Sequence, residues 1–247
     1  MKKNPKNPRT LGIIPARGGS KSIPKKNIVT LCGKPLIFYT IRGAEESKLL
    51  DAYIVSTDSP EIKSVAEEHG ADVPFLRPAE FSADKSVDIE FLKHALLWVK
   101  EHRGWTPDIV INLRPTAPLR TAEDIDAIIE LMDRTGCDSV KAVIVPKQNP
   151  FKMWRVNEHD QSMQPLLPTE HFDKLGTDVP RQLLPQNVFW QSGVIDATRA
   201  RFILEQNKVF GSDMRGLVLP EEKSIDLDEP SDLIFAEFMM KRLGLDK

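Results

Sequence analysis

Cysteine and net charge are both scarce in this sequence. Only Cys32 and Cys137 occur among its 247 residues, which excludes a disulfide framework and gives no cysteine spacing suited to zinc. The formal net charge is −2, so the broad basic surface of a nucleic-acid-binding protein is lacking. Hydrophobic residues at 40% and charged residues at 28% are the proportions of an ordinary globular protein. We therefore expect a protein of the reducing cytoplasm with no nucleic-acid partner.

Long apolar runs are also lacking. A membrane-spanning helix needs about 20 apolar residues in a row, whereas the apolar runs here are short, as at 142–145. The first nine residues are rich in Lys, Asn and Pro, and they contain no apolar stretch of the kind that a secretory signal carries. We expect no membrane association and interpret residues 1–10 as a flexible tail, with a local anion-binding arm as the alternative.

The sequence does contain a regular alternation of strand and helix patterns. The apolar run at 11–15 ends in Pro and Ala and is typical of a buried parallel strand. Pro35 predicts the first turn of a helix, and Ser59 followed by Pro60 predicts the start of another. The predicted strands are 11–15, 53–57, 73–76, 108–113, 139–145, 193–196 and 216–219, and the predicted helices are 35–47, 59–70, 86–103, 121–136, one from 198 and 231–243.

This alternation predicts an α/β domain over 11–247, with a mostly parallel sheet covered by helices on both faces. Ligands in such folds bind outside the carboxyl ends of the strands, which directs attention to the loops 16–27 and 77–88, to Asp58 and to 114–120. The alternation breaks over 147–189, a stretch rich in Pro, Gln, Asn and scattered aromatic residues. Long irregular insertions are usually functional, and we interpret this one as an extended arm that packs on a second subunit.

The loop after the first strand combines two adjacent glycines, Gly18 and Gly19, with several cations. Its 12 residues carry no acid and four bases, Arg17, Lys21, Lys25 and Lys26. Glycines let the backbone take positive φ and approach a ligand closely, and the cations suit a polyphosphate. The loop is neither a P-loop nor a dinucleotide fingerprint, since both motifs are absent. A solvated basic turn is the alternative.

Five short stretches together resemble one enzyme family. They are IIPARGGSK at 13–21 followed by KNI at 26–28, VSTD at 55–58, LRPAE at 76–80, RPTAPLR at 114–120 and SIDLD at 224–228. In this order they resemble the CMP-sialic acid synthetases, or acylneuraminate cytidylyltransferases. The resemblance extends from about Leu11 to Leu243, and the first loop differs from that of the related KDO cytidylyltransferases.

The resemblance implies an activity and an assembly. The fold would be a three-layer Rossmann-like nucleotidyltransferase with an extended dimerisation arm, and the protein would be a homodimer. The anomeric hydroxyl of a sialic-acid-like 2-keto sugar acid would attack the α-phosphorus of CTP, giving a CMP-sugar and pyrophosphate. The alternatives are another acceptor, such as legionaminic acid, pseudaminic acid or an eight-carbon sugar, and a nucleotide-binding module of the same fold without catalysis.

The resemblance also implies roles for individual residues. The expected nucleotide-binding residues are Ala16, Arg17, Gly18, Ser20, Lys21, Lys26, Asn27, Arg77 and Asp88. The expected sugar-binding residues are Arg114, Thr116, Arg181, Trp190 and Ser192. The residues expected to be catalytic are Arg17, Lys21, Arg114 and Asp228.

Asp226 and Asp228 are separated by one residue, so in a strand they would face the same side. Two such acids are often simply solvated. Mg²⁺, however, is commonly held by one or two carboxylates together with phosphate oxygens. Beside a triphosphate loop, we expect the pair to bind Mg²⁺. The histidines show no metal-ligand spacing.

Several positions depart from the family pattern, among them Asn149 of the stretch 149–152, where the family often has His, and four expected site residues. Asp88 replaces a small hydroxyl residue, and its carboxylate could accept from the cytosine amino group or cap a helix. Arg114 stands where the family has Gln, Trp190 where it has Arg, and Ser192 where it has Asn. We expect that Arg114 has taken over the sugar's carboxylate and that Trp190 packs on the sugar. The alternative is that Arg114 pairs with a nearby acid such as Asp88 or Glu80.

Overall fold

The computed structural model describes residues 9–83, 86–167 and 179–246. The chain divides into two compact units. The first comprises Met1–Val143 and Gln191–Lys247, and the second comprises Ile144–Trp190. The prediction of a flexible tail over residues 1–10 is wrong for Arg9 and Thr10, because Thr10 belongs to a strand and Arg9 pairs with Asp133. Residues 1–8 lie outside the described part.

The elements follow one another much as the alternation predicts. The strands over the described residues are β1 (Thr10–Pro15), β2 (Thr30–Leu31), β3 (Lys34–Pro35), β4 (Ala52–Ser56), β5 (Ile109–Asn112), β6 (Ser139–Ile144), β7 (Trp154–Val156), β8 (Met163–Pro165), β9 (Trp190–Arg199) and β10 (Met214–Val218). The α-helices are α1 (Leu36–Glu46), α2 (Pro60–Glu68), α3 (Asp88–Arg103), α4 (Ala122–Thr135), α5 (Ala200–Gln206) and α6 (Pro230–Leu243).

The main unit is built on a six-stranded sheet in the order β10-β6-β9-β5-β1-β4. β1 pairs in parallel with β4 and β5, and β10 pairs in parallel with β6, so the predicted mostly parallel sheet is confirmed. β9 is antiparallel to β5, with Asn112 opposite Asp196. The parallel strands bring their carboxyl ends to one edge of the sheet, where the loops after them meet.

Helices pack on the sheet through the apolar faces that the sequence periodicity predicts. Leu11 and Ile13 of β1 join a fully buried cluster with Leu92 and Leu96 of α3 and Ile203 of α5. Because side chains alternate along a strand, Gly12 and Ile14 face the opposite side of the sheet. Helix α1 contacts β1, α2 and α4. The core is therefore three layers deep, with the sheet in the middle.

The helix boundaries follow the capping signals in the sequence. The Ser59 side chain accepts from the Ile62 N–H at 3.3 Å, with Pro60 at the first position of α2. The Thr121 N–H donates to the Asp124 carboxylate at 2.9 Å at the start of α4. The strand predicted at 73–76 is wrong, because only an isolated parallel bridge joins Thr57 to Leu76 there.

The second unit contains a small antiparallel hairpin, in which Trp154 of β7 lies opposite Pro165 of β8. Val179 and Leu184 are buried against Phe151 and form a small apolar cluster of their own. Part of the predicted arm, residues 168–178, lies outside the described residues, and packing of this unit on a second subunit stays a prediction. Among the described helices, none combines the length and the apolar character needed to cross a bilayer.

Gly12 permits the close packing beneath β1. A Cβ added there would lie 2.8 Å from Leu113 Cδ1 and 3.1 Å from Leu50 Cδ2. We expect Gly12→Ala to lower the free energy of unfolding by about 1–3 kcal/mol, as overpacking of a core does. Denaturant unfolding measures this. Gly19→Ala is the control, because nothing lies within 4 Å of a Cβ at Gly19. Equal stabilities of the two variants would contradict the packing argument.

Candidate active site

A cleft of about 580 Å³ opens at the carboxyl edge of the sheet. It is bounded by the loop after β1, the loop that leads into α3, the loop after β5 and the segment before α6. Ten of the residues expected at the site line it: Arg17, Ser20, Lys21, Lys26, Asn27, Arg77, Asp88, Arg114, Thr116 and Asp228. The structure therefore brings together in one cleft residues from four distant parts of the sequence.

The loop after β1 is held in place by hydrogen bonds that its backbone groups make, two of them to residues at the end of β4 and just after it. The Ala16 N–H donates to the Ser56 carbonyl at 3.0 Å and continues the β1–β4 pairing. The Gly18 N–H donates to Asp58 Oδ1 at 2.8 Å, and Asn27 Nδ2 donates to the Arg17 carbonyl at 2.9 Å. The expectation of positive φ at the two glycines is wrong, because the left-handed residue of this loop is Lys25. Small size matters at Gly18, where a Cβ would lie 3.1 Å from Ser59 Cβ.

Lys26 connects the loop after β1 to the acidic segment, residues 225–228, which precedes α6. Its side chain is nearly buried, and its Nζ donates to the Leu227 carbonyl and lies 3.3 Å from Asp228 Oδ1. The Asp228 carboxylate is largely exposed to the cleft. One ammonium group therefore ties the cationic loop to the predicted metal ligand.

Arg77 braces the loop that leads into α3. Its guanidinium donates to the Ser56 and Phe81 carbonyls and lies over the Phe91 ring, 5.1 Å from the ring centroid. Burial lowers the pKa of Arg77 to about 10, and neighbouring Arg17 acts in the same direction. Arg77 still carries its charge at neutral pH, and its buried Nε has no partner among the described groups.

Asp88 and Arg114 are partners. Asp88 is the first residue of α3, but it does not cap the helix, since the Glu90 carboxylate accepts from the Val87 N–H at the N-cap. Instead, one Asp88 oxygen accepts from Arg114 and, at 3.1 Å, from Asn112 Nδ2. The helix-capping alternative for Asp88 is therefore wrong. The ion pair with Asp88, the alternative for Arg114, is present, whereas Glu80 is not an ion-pair partner of Arg114 among the described residues.

Arg114 has a second acidic partner that the sequence analysis missed. Its NH1 lies 2.9 Å from Asp196 Oδ2 and also donates to the Gly193 carbonyl at 3.2 Å. Burial alone would lower the pKa of Arg114, but the carboxylates of Asp88 and Asp196 raise it. Asp196 is nearly inaccessible to solvent. A carboxylate inside the apolar pattern of β9 was the available signal, because a buried acid requires a partner.

The acidic pair lies in a segment without regular structure between a 3-10 turn at Glu221–Ser224 and α6, so its predicted place in a strand is wrong. The side chains still alternate, because Leu227 is fully buried between the exposed Asp226 and Asp228. The Leu227 N–H donates to the Thr116 carbonyl at 3.0 Å. Loss of hydration raises the pKa of Asp226 and the Asp228 charge adds to this, whereas a hydrogen bond from the Thr116 side chain opposes it.

Asp226 and Asp228 could hold Mg²⁺ only together with a bound nucleotide, which would supply further ligands. Within residues 9–83, 86–167 and 179–246, no group of three or more His, Cys, Asp or Glu side chains is placed to hold an ion. Asp226 and Asp228 offer hard oxygen donors beside the cleft, which suits Mg²⁺ that takes its other ligands from phosphates and water.

Of the expected sugar-side residues, Ser192 is not part of the described cleft lining, and Trp190 and Arg181 belong to the second unit. Ser192 is buried in β9, where its hydroxyl donates to the Ala142 carbonyl at 3.2 Å. Trp190 is the last residue of the second unit, and its side chain is exposed. Arg181 also belongs to that unit, in a 3-10 turn at Arg181–Leu183, and its side chain lies outside the described part. Their role toward a sugar stays a prediction.

Comparison with known proteins finds similar chains. Residues 11–175 match a family model described as cytidylyltransferase. The chain is 32% identical to the CMP-N,N'-diacetyllegionaminic acid synthase of Legionella pneumophila, over 94% of this chain and 97% of that protein. It is 29% identical to a pseudaminic acid cytidylyltransferase of Campylobacter jejuni, over 94% of this chain and 97% of the relative.

The fold is similar to that of a solved CMP-2-keto-3-deoxy-manno-octonic acid synthetase complexed with CTP. The TM-score is 0.66 at 17% identity, with 95% of this chain and 99% of the other covered. This likeness confirms the expected Rossmann-like nucleotidyltransferase fold.

Removal of the Arg114 charge should destabilise the fold, because Asp88 and Asp196 then lose the cation that they share. In Arg114→Gln, Asp196 keeps a buried carboxylate without a counter-charge, and we expect a loss of about 3 kcal/mol in the free energy of unfolding at neutral pH.

Denaturant unfolding at neutral pH measures this deficit. The matched control is Arg215→Gln, which breaks the exposed Arg215–Asp213 pair and should cost less than about 1 kcal/mol. A deficit in Arg114→Gln that is no larger than the control's would show that the acids do not depend on Arg114.

Proposed function

This chain belongs to the cytidylyltransferase family, and from that premise we propose that it transfers CMP from CTP to the anomeric hydroxyl of a nonulosonic acid, a nine-carbon 2-keto sugar acid. The observation that carries the proposal is the meeting of Arg17, Lys21 and Lys26 with Asp228 in one cleft. The names of the relatives, a diacetyllegionaminic acid synthase and a pseudaminic acid cytidylyltransferase, support the class of acceptor.

The reaction exchanges one P–O bond for another. The acceptor's anomeric oxygen bonds to the α-phosphorus, the bond from that phosphorus to the bridging oxygen breaks, and pyrophosphate leaves with the electron pair. The hydroxyl proton passes to solvent or buffer. Because such a reaction depends mainly on positioning and charge neutralisation, Arg17 and Lys21 would act by offsetting the triphosphate charge, and Lys26 would do so from its anchored position beside Asp228.

Asn27, Arg77 and Asp88 would contact the cytidine. One Asp88 oxygen is occupied by Arg114 and Asn112, and the other is available to accept from an N–H donor such as the cytosine amino group. The two N–H groups of Arg114 NH1 donate to Asp196 and to the Gly193 carbonyl, whereas NH2 has a second N–H besides the one that Asp88 accepts. This N–H of NH2 is the donor that we propose for the sugar's carboxylate. Thr116 lies at the same wall of the cleft.

Asp226 and Asp228 would hold Mg²⁺, and the bound ion would add positive charge at the triphosphate. Lys26 keeps Asp228 near the cationic loop, and Thr116 orients Asp226. We place the enzyme in the cytoplasm, in line with the two unpaired cysteines.

Pyrophosphate release tests the function directly. With CTP and a panel of 2-keto sugar acids, we expect release with at least one nonulosonic acid and none with nucleotide alone. Arg17→Ala and Lys21→Ala should each lower the rate about 10²–10³-fold, since they remove charge that is needed most in the transition state. Tight CTP binding without turnover on any acceptor would favour the non-catalytic nucleotide-binding module instead.

The metal proposal predicts a specific kinetic defect. Asp228→Asn should lower kcat strongly while leaving the unfolding transition in place, because Asp228 is largely exposed and its loss leaves no cavity. Steady-state rates across an Mg²⁺ titration measure this. Asp213→Asn, which changes another exposed acid just before β10, is the control and should behave as wild type. Normal Mg²⁺-dependent turnover in Asp228→Asn would rule out the pair as the metal site.

We also propose a homodimer formed through the second unit, which exposes Trp154, Met163, Phe189 and Trp190. Exposed aromatic residues are typical anchors of interfaces. Light scattering of the wild-type protein at micromolar concentration should give about twice the mass of one chain, and Trp154→Glu should shift the protein toward monomer. A wild-type monomer at that concentration would contradict this proposal.

A further inference from the structure

We propose that Lys223 is a positioning residue that fixes the acidic segment, residues 225–228, against the start of α4 and thereby sets the affinity of Asp226 and Asp228 for a divalent cation. The inference rests on the proposed function, since it concerns the metal site proposed above. Neither Lys223 nor its partner Asp124 is among the site residues expected from the sequence motifs.

The ammonium group of Lys223 contacts three oxygen atoms at the start of α4. Its Nζ lies 2.8 Å from both carboxylate oxygens of Asp124 and 3.3 Å from the Thr121 hydroxyl. The side chains of Lys223 and Asp124 are 20% and 8% exposed, so the pair is mostly out of water. Breaking such a pair leaves an uncompensated charge, unlike breaking an exposed one.

The pair joins two loops of the site. Lys223 lies in the 3-10 turn Glu221–Ser224, three residues before Asp226. Asp124 and Thr121 form the first turn of α4, directly after the loop 114–120 that contributes Arg114 and Thr116 to the cleft. The contact therefore fixes the entry to the acidic segment relative to the loop that forms the cleft wall.

The rest of the acidic segment is anchored at separate points. Leu227 is buried, and its N–H donates to the Thr116 carbonyl at 3.0 Å. At the far end, the N–H groups of Asp228 and Glu229 donate to the Asp232 carboxylate at 2.8 and 2.7 Å. Lys223 supplies an ionic anchor on the near side of Asp226, and Lys26 supplies another at Asp228.

Two neighbouring carboxylates need such an anchor because they repel each other when no cation lies between them. The Asp228 charge contributes to the raised pKa of Asp226. A segment free to move at its near end would let the two groups separate, and a cation would then have to draw them together again on binding. Groups that orient metal ligands without touching the metal typically change metal affinity about 10–100-fold when they are removed.

The test measures divalent-cation binding directly. Mn²⁺ serves as the probe, and its free electron paramagnetic resonance signal is compared with and without the protein at the same CTP concentration and in the absence of any sugar acid. The reference without protein accounts for the Mn²⁺ that CTP binds by itself. Lys223→Met, which keeps the length and loses the charge, should weaken Mn²⁺ binding about 10-fold or more and shift the Mg²⁺ concentration for half-maximal rate by a similar factor. Lys223→Arg, which restores a cation, should recover most of both losses.

Two further variants separate this role from stability. Lys241→Met breaks an exposed i,i+4 pair with Glu237 and should leave Mn²⁺ affinity unchanged. Asp124→Asn removes the partner's charge but keeps an oxygen for the Thr121 N–H, so it should reproduce the weakened binding even where Lys223→Met folds poorly.

The outcomes distinguish this inference from the proposed function. Wild-type Mn²⁺ affinity in Lys223→Met and Asp124→Asn, whatever their stability, overturns the inference while leaving the metal pair in place. A wild-type protein that binds no Mn²⁺ with CTP, and whose turnover needs no divalent cation, overturns the metal proposal and this inference together. Weakened binding in both variants, recovered in Lys223→Arg, supports the positioning role.

Discussion

Like charges crowded into one cleft are the constraint on which the arrangement of this site depends. A site for a polyphosphate has to gather cations, and in the absence of the ligand those cations repel one another. The structure meets this by placing acids among them. Lys26 lies beside Asp228, and Arg114 lies between Asp88 and Asp196. The cations can then be held in position before a nucleotide arrives, which is what catalysis by charge stabilisation requires.

The sheet determines which charges can meet. β1, β4 and β5 are parallel neighbours, so the loops that leave their carboxyl ends meet at one edge although they are far apart in sequence. β9 runs antiparallel to β5 and places Asp196 directly opposite Asn112. A strand in reversed orientation thus lets the interior of the sheet supply an acid to an arginine on the cleft wall.

Much of this was predictable from local patterns, and the remainder depended on long-range contacts. Periodicity and capping residues predict α2 and α4, because Ser59 and Thr121 act within a few residues of their own positions. The spacing of the two acids predicts a shared side, and the structure retains it, although the segment is not part of a sheet, because Leu227 turns inward between them. Asp196 escaped prediction because its partner Arg114 comes from 82 positions away.

The departures at 88 and 114 are better understood as one change than as two. Each would be unfavourable alone: an acid at 88 would lack its arginine, and an arginine at 114 would have only Asp196. Together they replace two neutral side chains of the family pattern by an ion pair inside the lining of the cleft. Residues in contact are energetically coupled, so the role of Arg114 toward a sugar acid has to be judged against the double replacement of both residues. The single Arg114→Gln change alters the charge at Asp88 and Asp196 at the same time as it removes a donor from the cleft.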